Sequence, residues 1–127
     1  MEVHKILGCG FQEVIYQRAL EEEFAIQGVS PQREFEMNVF YKDKIIGTRR
    51  VDFLIGEVIS VEIKAITKLE GVHLTQAINY LEVYNLEIGL LINLGAKSLE
   101  YKRLINAKFI SNNQIYQRNQ TNQQFRQ

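Results

Sequence analysis

One cysteine, one proline, no tryptophan and no net charge set the first limits on this chain. A lone Cys9 can form neither an internal disulfide nor a thiolate metal cage, so the composition fits a reducing cytoplasm better than a secreted, cross-linked scaffold. No apolar run approaches the roughly 18–20 residues that span a bilayer, and residues 1–10 lack the basic start and apolar stretch of a signal peptide, so no membrane-spanning or exported form is expected. Fifteen Lys plus Arg balance fifteen Asp plus Glu, but unevenly along the chain. Residues 111–127 hold Arg118 and Arg126 and no acid, which leaves residues 1–110 with thirteen basic and fifteen acidic groups, a balance of −2. Bulk charge therefore does not drive nucleic-acid binding, and any contact with phosphates has to come from a local patch or a bound metal. There is no Gly-rich phosphate loop, Cys/His zinc spacing, GxSxG elbow or internal repeat, and the enzyme classes that depend on them drop out.

What is present is 127 residues, 46% of them hydrophobic and 10% aromatic, enough for one small soluble globular domain and too few for two. Residues 1–110 read as that domain and 111–127 as a polar, Asn/Gln-rich, disordered C-terminal tail. From Phe11 to Gln27, Phe11, Ile15, Ala19 and Ile26 recur near helical spacing; Gly28 supplies a C-terminal cap and Pro31 prevents continuation. Residues 32–41 alternate as a strand, with Phe35, Met37, Val39 and Tyr41 on one face and Phe40 breaking the pattern. Lys42-Asp43-Lys44 is a turn, followed by β-rich runs over Ile45–Ile55 and Val58–Ile66 separated by Gly56-Glu57. Residues 72–85 return to helical spacing through Leu74, Ile78, Leu81 and Tyr84, with Thr67 to Glu70 as a capping box. Ile88–Asn93 reads as a strand covered on both faces, and Leu99–Ile105 as an edge strand. The order is αβββαββ.

Three residues in this frame call for chemistry. The two-residue period of Val58–Ala65 puts Glu62 and Lys64 on one face, which alone is no more than a solvent-facing ladder pair of ~0–1 kcal/mol. Asp52 changes that reading, because it interrupts the apolar run Val51–Ile55, where an unpartnered carboxylate is costly. If hairpin partners sum to 114, Asp52 lies opposite Glu62 with Lys64 one step along, which requires a three-residue turn or a bulge. A strict two-residue turn at Gly56-Glu57 gives a sum of 113 and sends the carboxylates to opposite faces. Two carboxylates held together need a proton or a cation between them, and a hard dication with oxygen ligands, Mg²⁺ or Mn²⁺, is the usual solution. Lys64 then stands where it can orient a water nucleophile or stabilise charge developing on a phosphate, an arrangement for hydrolysing a phosphodiester. In the second helix His73, Gln76 and Tyr80 share a face, although His73 alone reads as a surface or cap residue. Glu13 by itself is unremarkable, as is the solvated run Glu21–Glu23.

Gly10-Phe-Gln-Glu13-Val-Ile-Tyr16 resembles the signature of the GxxExxY protein family, within the PD-(D/E)XK nuclease-like superfamily. Arg50-Val-Asp52-Phe-Leu, Val61-Glu62-Ile-Lys64-Ala, His73-Leu-Thr-Gln76-Ala-Ile-Asn-Tyr80-Leu and Gly89-Leu-Leu-Ile-Asn93-Leu-Gly95 resemble the family's further blocks, in order, over about Val3 to Ile105. The resemblance implies a restriction-endonuclease-like αβββαβ core, an α/β fold with a mixed sheet flanked by helices. It implies that Asp52 and Glu62 bind the divalent metal, that Lys64 assists catalysis and that Glu13 completes the acidic cluster. Gln76-x-x-x-Tyr80 is similar to a Q-x-x-x-Y motif of one branch of the superfamily. Cys9 stands where the family often has Pro, and the family often has more chain ahead of the pair matched by Val3-His4; a missing segment there is expected to expose apolar surface and favour an oligomer.

These readings converge on a Mg²⁺- or Mn²⁺-dependent nuclease hydrolysing nucleic acid, with DNA as the expected substrate and Asp52, Glu62, Lys64, Glu13, Gln76 and Tyr80 as its site. Arg49, Arg50, Lys42 and Lys44 are available as a local basic edge or as ordinary surface. The alternative is a nuclease-like binding or assembly module, a homo-oligomer among its forms, with little or no hydrolysis. A purely structural salt-bridge cluster conflicts with the cost of placing two acids beside one Lys.

Overall fold

The structure, a computed structural model, describes residues 1–111; the tail expected over 111–127 lies outside the described residues apart from Ser111. Eight elements follow in order: α1 (Glu2–Leu7), α2 (Glu13–Ile26), β1 (Gln32–Tyr41), β2 (Lys44–Ile55), β3 (Ile59–Lys64), α3 (Gly71–Tyr84), β4 (Ile88–Asn93) and β5 (Glu100–Ile105). The five strands form one mixed sheet in the order β1-β2-β3-β4-β5. Only β3 and β4 pair in parallel, because α3 carries the chain from one to the other. Along β4, Ile92 packs with Val3, Tyr16 and Leu20 of the first two helices, while Leu91 packs with Leu81 and Tyr84 of α3. The alternation of β4 thus feeds two cores, one on each face of the sheet, and the expected helix-flanked α/β architecture is what the chain adopts.

Several local expectations are corrected. Residues 2–7 form a helix, α1, that six residues of sequence are too short to announce by periodicity. Val3 is buried and the His4 imidazole, 2.9 Å from the Ala96 carbonyl, ties it to the β4–β5 connection. The buried face of α2 is Tyr16, Gln17 and Leu20, whereas Phe11 and Ile26, both assigned to its apolar stripe, are 46% and 71% exposed. Its stop is as expected: the Gly28 N–H donates to the Ala25 carbonyl and the Val29 N–H to that of Phe24, with Gly28 at φ 76°, a Schellman ending. In β1 the inner face runs through Phe35, Met37 and Val39, but Tyr41 is exposed, because the β1–β2 register slips between Val39 and Phe40. The capping box of α3 is built three residues later than expected, with Glu70 as N-cap and its N–H donating to His73 Nδ1 at 2.9 Å.

Candidate functional site

The site begins where two strands part. β2 and β3 pair as Ile55↔Ile59, Leu54↔Ser60 and Phe53↔Val61, the register summing to 114, closed by a three-residue turn in which Gly56 and Glu57 both take positive φ. The next pair would be Asp52 with Glu62, and there the backbone ladder stops. The Ile63 N–H donates instead to Asp52 Oδ2 at 2.7 Å, so the carboxylate takes the place of a strand carbonyl.

Side-chain alternation also slips at this point. Val51 packs in the α3-side core and Phe53 in the α2-side core, although residues two apart on a regular strand share a face. Opposite Asp52, between the pairs Arg33↔Phe53 and Phe35↔Val51, Glu34 adopts φ 51°, a left-handed conformation that lets β1 follow the switch. The distortion directs Asp52 along the seam between strands. Its Oδ1 accepts from Gln17 Nε2 of α2 at 3.1 Å, and Gln17 is oriented in turn by Arg33, whose Nε and Nη2 donate to its Oε1 at 3.1 and 2.8 Å.

Asp52 borders a hollow of about 250 Å³ with Glu13, Val14, Gln17 and Glu34. Glu13 is exposed in the first turn of α2, one turn before Gln17. Tyr16, the last residue of the Gly10–Tyr16 segment, is fully buried; its hydroxyl donates to the Gly8 carbonyl at 2.6 Å and accepts from the Phe11 N–H at 3.2 Å, which clamps the loop that delivers Glu13.

Glu62 and Lys64 line a narrow hollow of about 10 Å³ against α3, together with Arg49, His73, Gln76, Ala77, Tyr80 and Leu91. Within it Gln76 Nε2 donates to the Tyr80 hydroxyl at 2.7 Å, which leaves the phenolic proton free to donate. The Glu62 carboxyl, its side chain 15% exposed, is pushed up to about 7, first by burial and next by the charge of Asp52, with Arg49 and Lys64 pulling the other way. The geometry therefore sets Asp52 against Glu62, puts Lys64, Gln76 and Tyr80 in the hollow that Glu62 lines, and leaves Asp52 on the other hollow with Glu13.

These donors suit a hard dication. All are oxygens, Asp52 is held at both atoms with lone pairs to spare, and the neighbouring Glu62 lacks enough positive charge to ionise normally. Among the described residues no three of His, Cys, Asp and Glu converge as a ready metal cage.

Three residues that sequence reasoning missed complete the site: Gln17 and Arg33, which orient Asp52, and Asn93. The fully buried Asn93 accepts from the Ile66 and Gly95 N–H groups, both at 3.0 Å, and donates to Glu100 at 2.9 Å, fixing the chain that leaves Lys64. Its signals in the sequence are an amide ending the apolar run Ile88–Asn93 and its place in the Gly89–Gly95 block.

The family model described as the PD-(D/E)XK nuclease superfamily matches residues 1–104. No curated protein matches the sequence. Among solved structures the chain is similar to one titled "Crystal structure of SSO0001", with a TM-score of 0.58 and 20% identity over 74% of this chain and 50% of that one, a likeness of fold that spans half the other chain's length. Among the described residues no helix is long and apolar enough to cross a membrane.

Proposed function

Because the chain belongs to the PD-(D/E)XK nuclease superfamily, whose nucleases generally use divalent metals, we propose that it is a Mg²⁺- or Mn²⁺-dependent nuclease that hydrolyses phosphodiester bonds, DNA being its substrate. The observation that carries the reading is the β2–β3 register summing to 114, which ends where Asp52 meets Glu62 and leaves the two carboxylates interacting one step from Lys64. Asp52 and Glu62 would hold the ion, and Glu13 adds negative charge across the Asp52 hollow. When bound, such an ion supplies Lewis-acid polarisation of phosphate oxygens and acidifies water. Lys64 orients the attacking water and offsets charge developing on the phosphate, while Gln76 and the free proton of the Tyr80 hydroxyl position the substrate group beside it. Gln17, backed by Arg33, keeps Asp52 from turning away. We also assign the chain to the GxxExxY family on Gly10, Glu13 and Tyr16, supported by the way Tyr16 clamps the loop ahead of Glu13. The exposed thiol of Cys9 supports a reducing compartment, the cytoplasm.

A second reading, an assembly module with little hydrolysis, has one observation in its favour: a wholly apolar hollow of about 380 Å³ lined by Met1, Leu20, Phe24, Leu90, Ile92, Leu99 and Tyr101 beside edge strand β5. Calorimetric titration with Mn²⁺ tests both readings. The wild type should bind and Asp52→Ala should bind at least tenfold more weakly, from loss of one of two carboxylate ligands; equal binding removes the metal site. Cleavage assays on single-stranded DNA, duplex DNA and RNA with Mn²⁺ then separate nuclease from module.

A further inference from the structure

The mechanism above leaves Arg49 without a role, yet three elements fix its place. β2 pairs with β3 only from Phe53 onward, so at residue 49 the strand is held by β1 alone, opposite Met37. The side chain reaches α3, where its guanidinium carbon lies 3.4 Å from the centre of the Tyr80 ring. Nη2 stands 4.0 Å from Glu62 Oε2, within ion-pair range but beyond a hydrogen bond. Among the described residues the Arg49 side chain makes no hydrogen bond, although it is only 31% exposed. A guanidinium with five N–H donors is thus held flat by stacking with its donor edge unfilled. It lines the same hollow as Lys64, whose ammonium also makes no hydrogen bond among the described residues.

We propose that Arg49 is a phosphate-binding residue, whose fork, steadied on Tyr80, grips with Lys64 a phosphodiester group of the nucleic-acid backbone beside Asp52 and Glu62. The inference rests on the nuclease reading of the site and adds what that reading lacks, a way for a body of balance −2 to hold a polyanion. A planar fork matches two phosphate oxygens at once, which a lysine ammonium cannot do, and stacking removes much of the rotamer freedom that binding would otherwise have to quench. The competing role is a structural counter-ion for Glu62. The two roles differ in what they predict for metal: a cation 4.0 Å from a metal ligand opposes the dication, whereas a structural prop supports it.

The test uses Arg49→Gln and Arg49→Lys in the whole chain, with thermal melting to confirm folding. Mn²⁺ affinity is read by calorimetry, and affinity for a short fluorescein-labelled DNA oligonucleotide by anisotropy in Ca²⁺ across a salt series. Arg49→Gln should bind Mn²⁺ as tightly as wild type or more so, bind the oligonucleotide roughly tenfold more weakly, and show a salt slope smaller by about one. Arg49→Lys, which keeps the charge and loses the fork, should keep the slope and lose several-fold in affinity; it carries the test if the Gln variant does not fold. Unchanged oligonucleotide affinity and slope would overturn the proposal, as would a parallel fall in Mn²⁺ affinity. A wild type that binds the oligonucleotide but never cuts it defeats hydrolysis and leaves the grip standing. One that cuts while Arg49→Gln keeps full affinity does the reverse, and a wild type that binds no oligonucleotide overturns the grip.

Discussion

Replacing Glu62 with Gln should make the metal-free protein more stable near pH 8 and change it little near pH 5. In the folded chain the Glu62 carboxyl is pushed up to about 7, first by burial and then by Asp52, whereas in the unfolded chain it returns to its ordinary 4.5. A folded pKa above the unfolded one means that, between those values, the folded state keeps a proton the unfolded state has lost. Stability therefore falls as pH rises through this window, and the loss is complete above the folded pKa. At about 1.36 kcal/mol per unit the ceiling is roughly 3 kcal/mol. Gln keeps the shape and never ionises, but its amide needs partners of its own, so the expected gain near pH 8 is about 1–3 kcal/mol, shrinking below about 1 near pH 5. Urea unfolding of both proteins in EDTA, followed by circular dichroism at several pH values, reads this group together with the neighbours it interacts with, because the more distant titrations are common to the pair. A difference that stays flat with pH, or a Gln variant less stable at the alkaline end, would refute the account of the carboxylate pair. Adding Mn²⁺ at pH 8 should then stabilise the wild type more than the variant, since only the wild type holds both carboxylates for the ion.

Glu34→Gly should be neutral or stabilise by up to about 1 kcal/mol, because relief of a left-handed residue at φ 51° offsets the usual cost of glycine in a strand. Glu36→Gly, at an exposed position of the same strand, supplies the control, and equal losses in urea unfolding would show that Glu34 is not strained. Gly95→Ala should destabilise by about 1–3 kcal/mol or more, because a Cβ there would lie 2.4 Å from Ala65 C and Ile66 N, backbone that cannot swing aside. Ala65 directly follows Lys64, so cleavage should weaken as well; an unchanged melting temperature would contradict the packing argument.

Much of the fold was legible because alternation and punctuation agreed. β4 occupies Ile88–Asn93 as its unbroken apolar run requires, and Gly28 with Pro31 ends α2 where the motif says it should. Phe40 broke the β1 pattern in sequence, and the register slips there in the structure. Reading failed where burial was polar. The inner face of α2 includes Gln17, an amide that a hydrophobic count assigns to solvent, so the stripe was drawn through Phe11 and Ile26 instead. Asn93 escapes a hydrophobic count for the same reason, although its side chain satisfies two backbone N–H groups that secondary structure leaves unpaired and donates to the Glu100 carboxylate.

The Asp52–Glu62 register was legible for a different reason: the alternatives were discrete. A sum of 113 or 114 is a one-residue choice, and only the latter puts two acids beside Lys64, with a turn long enough to require left-handed residues at Gly56 and Glu57. The aim of Asp52 was not legible, because it does not follow from β periodicity. Regular alternation would send Val51 and Phe53 to one core and Asp52 to the other face, whereas the strand crosses over at Asp52 and its carboxylate enters the seam, receiving Ile63 N–H from one side and Gln17 from the other. Three costs meet at this point: a broken ladder, a left-handed Glu34 and a half-buried acid pair. None contributes to the sheet, and all three give the same result, a carboxylate fixed against its repulsion from Glu62. A sequence optimised for folding alone would put a β-branched apolar residue at position 52 and close the ladder. That the chain sustains these costs at the one place where an acid meets the Glu62–Lys64 strand is the physical argument for a site rather than a surface salt bridge.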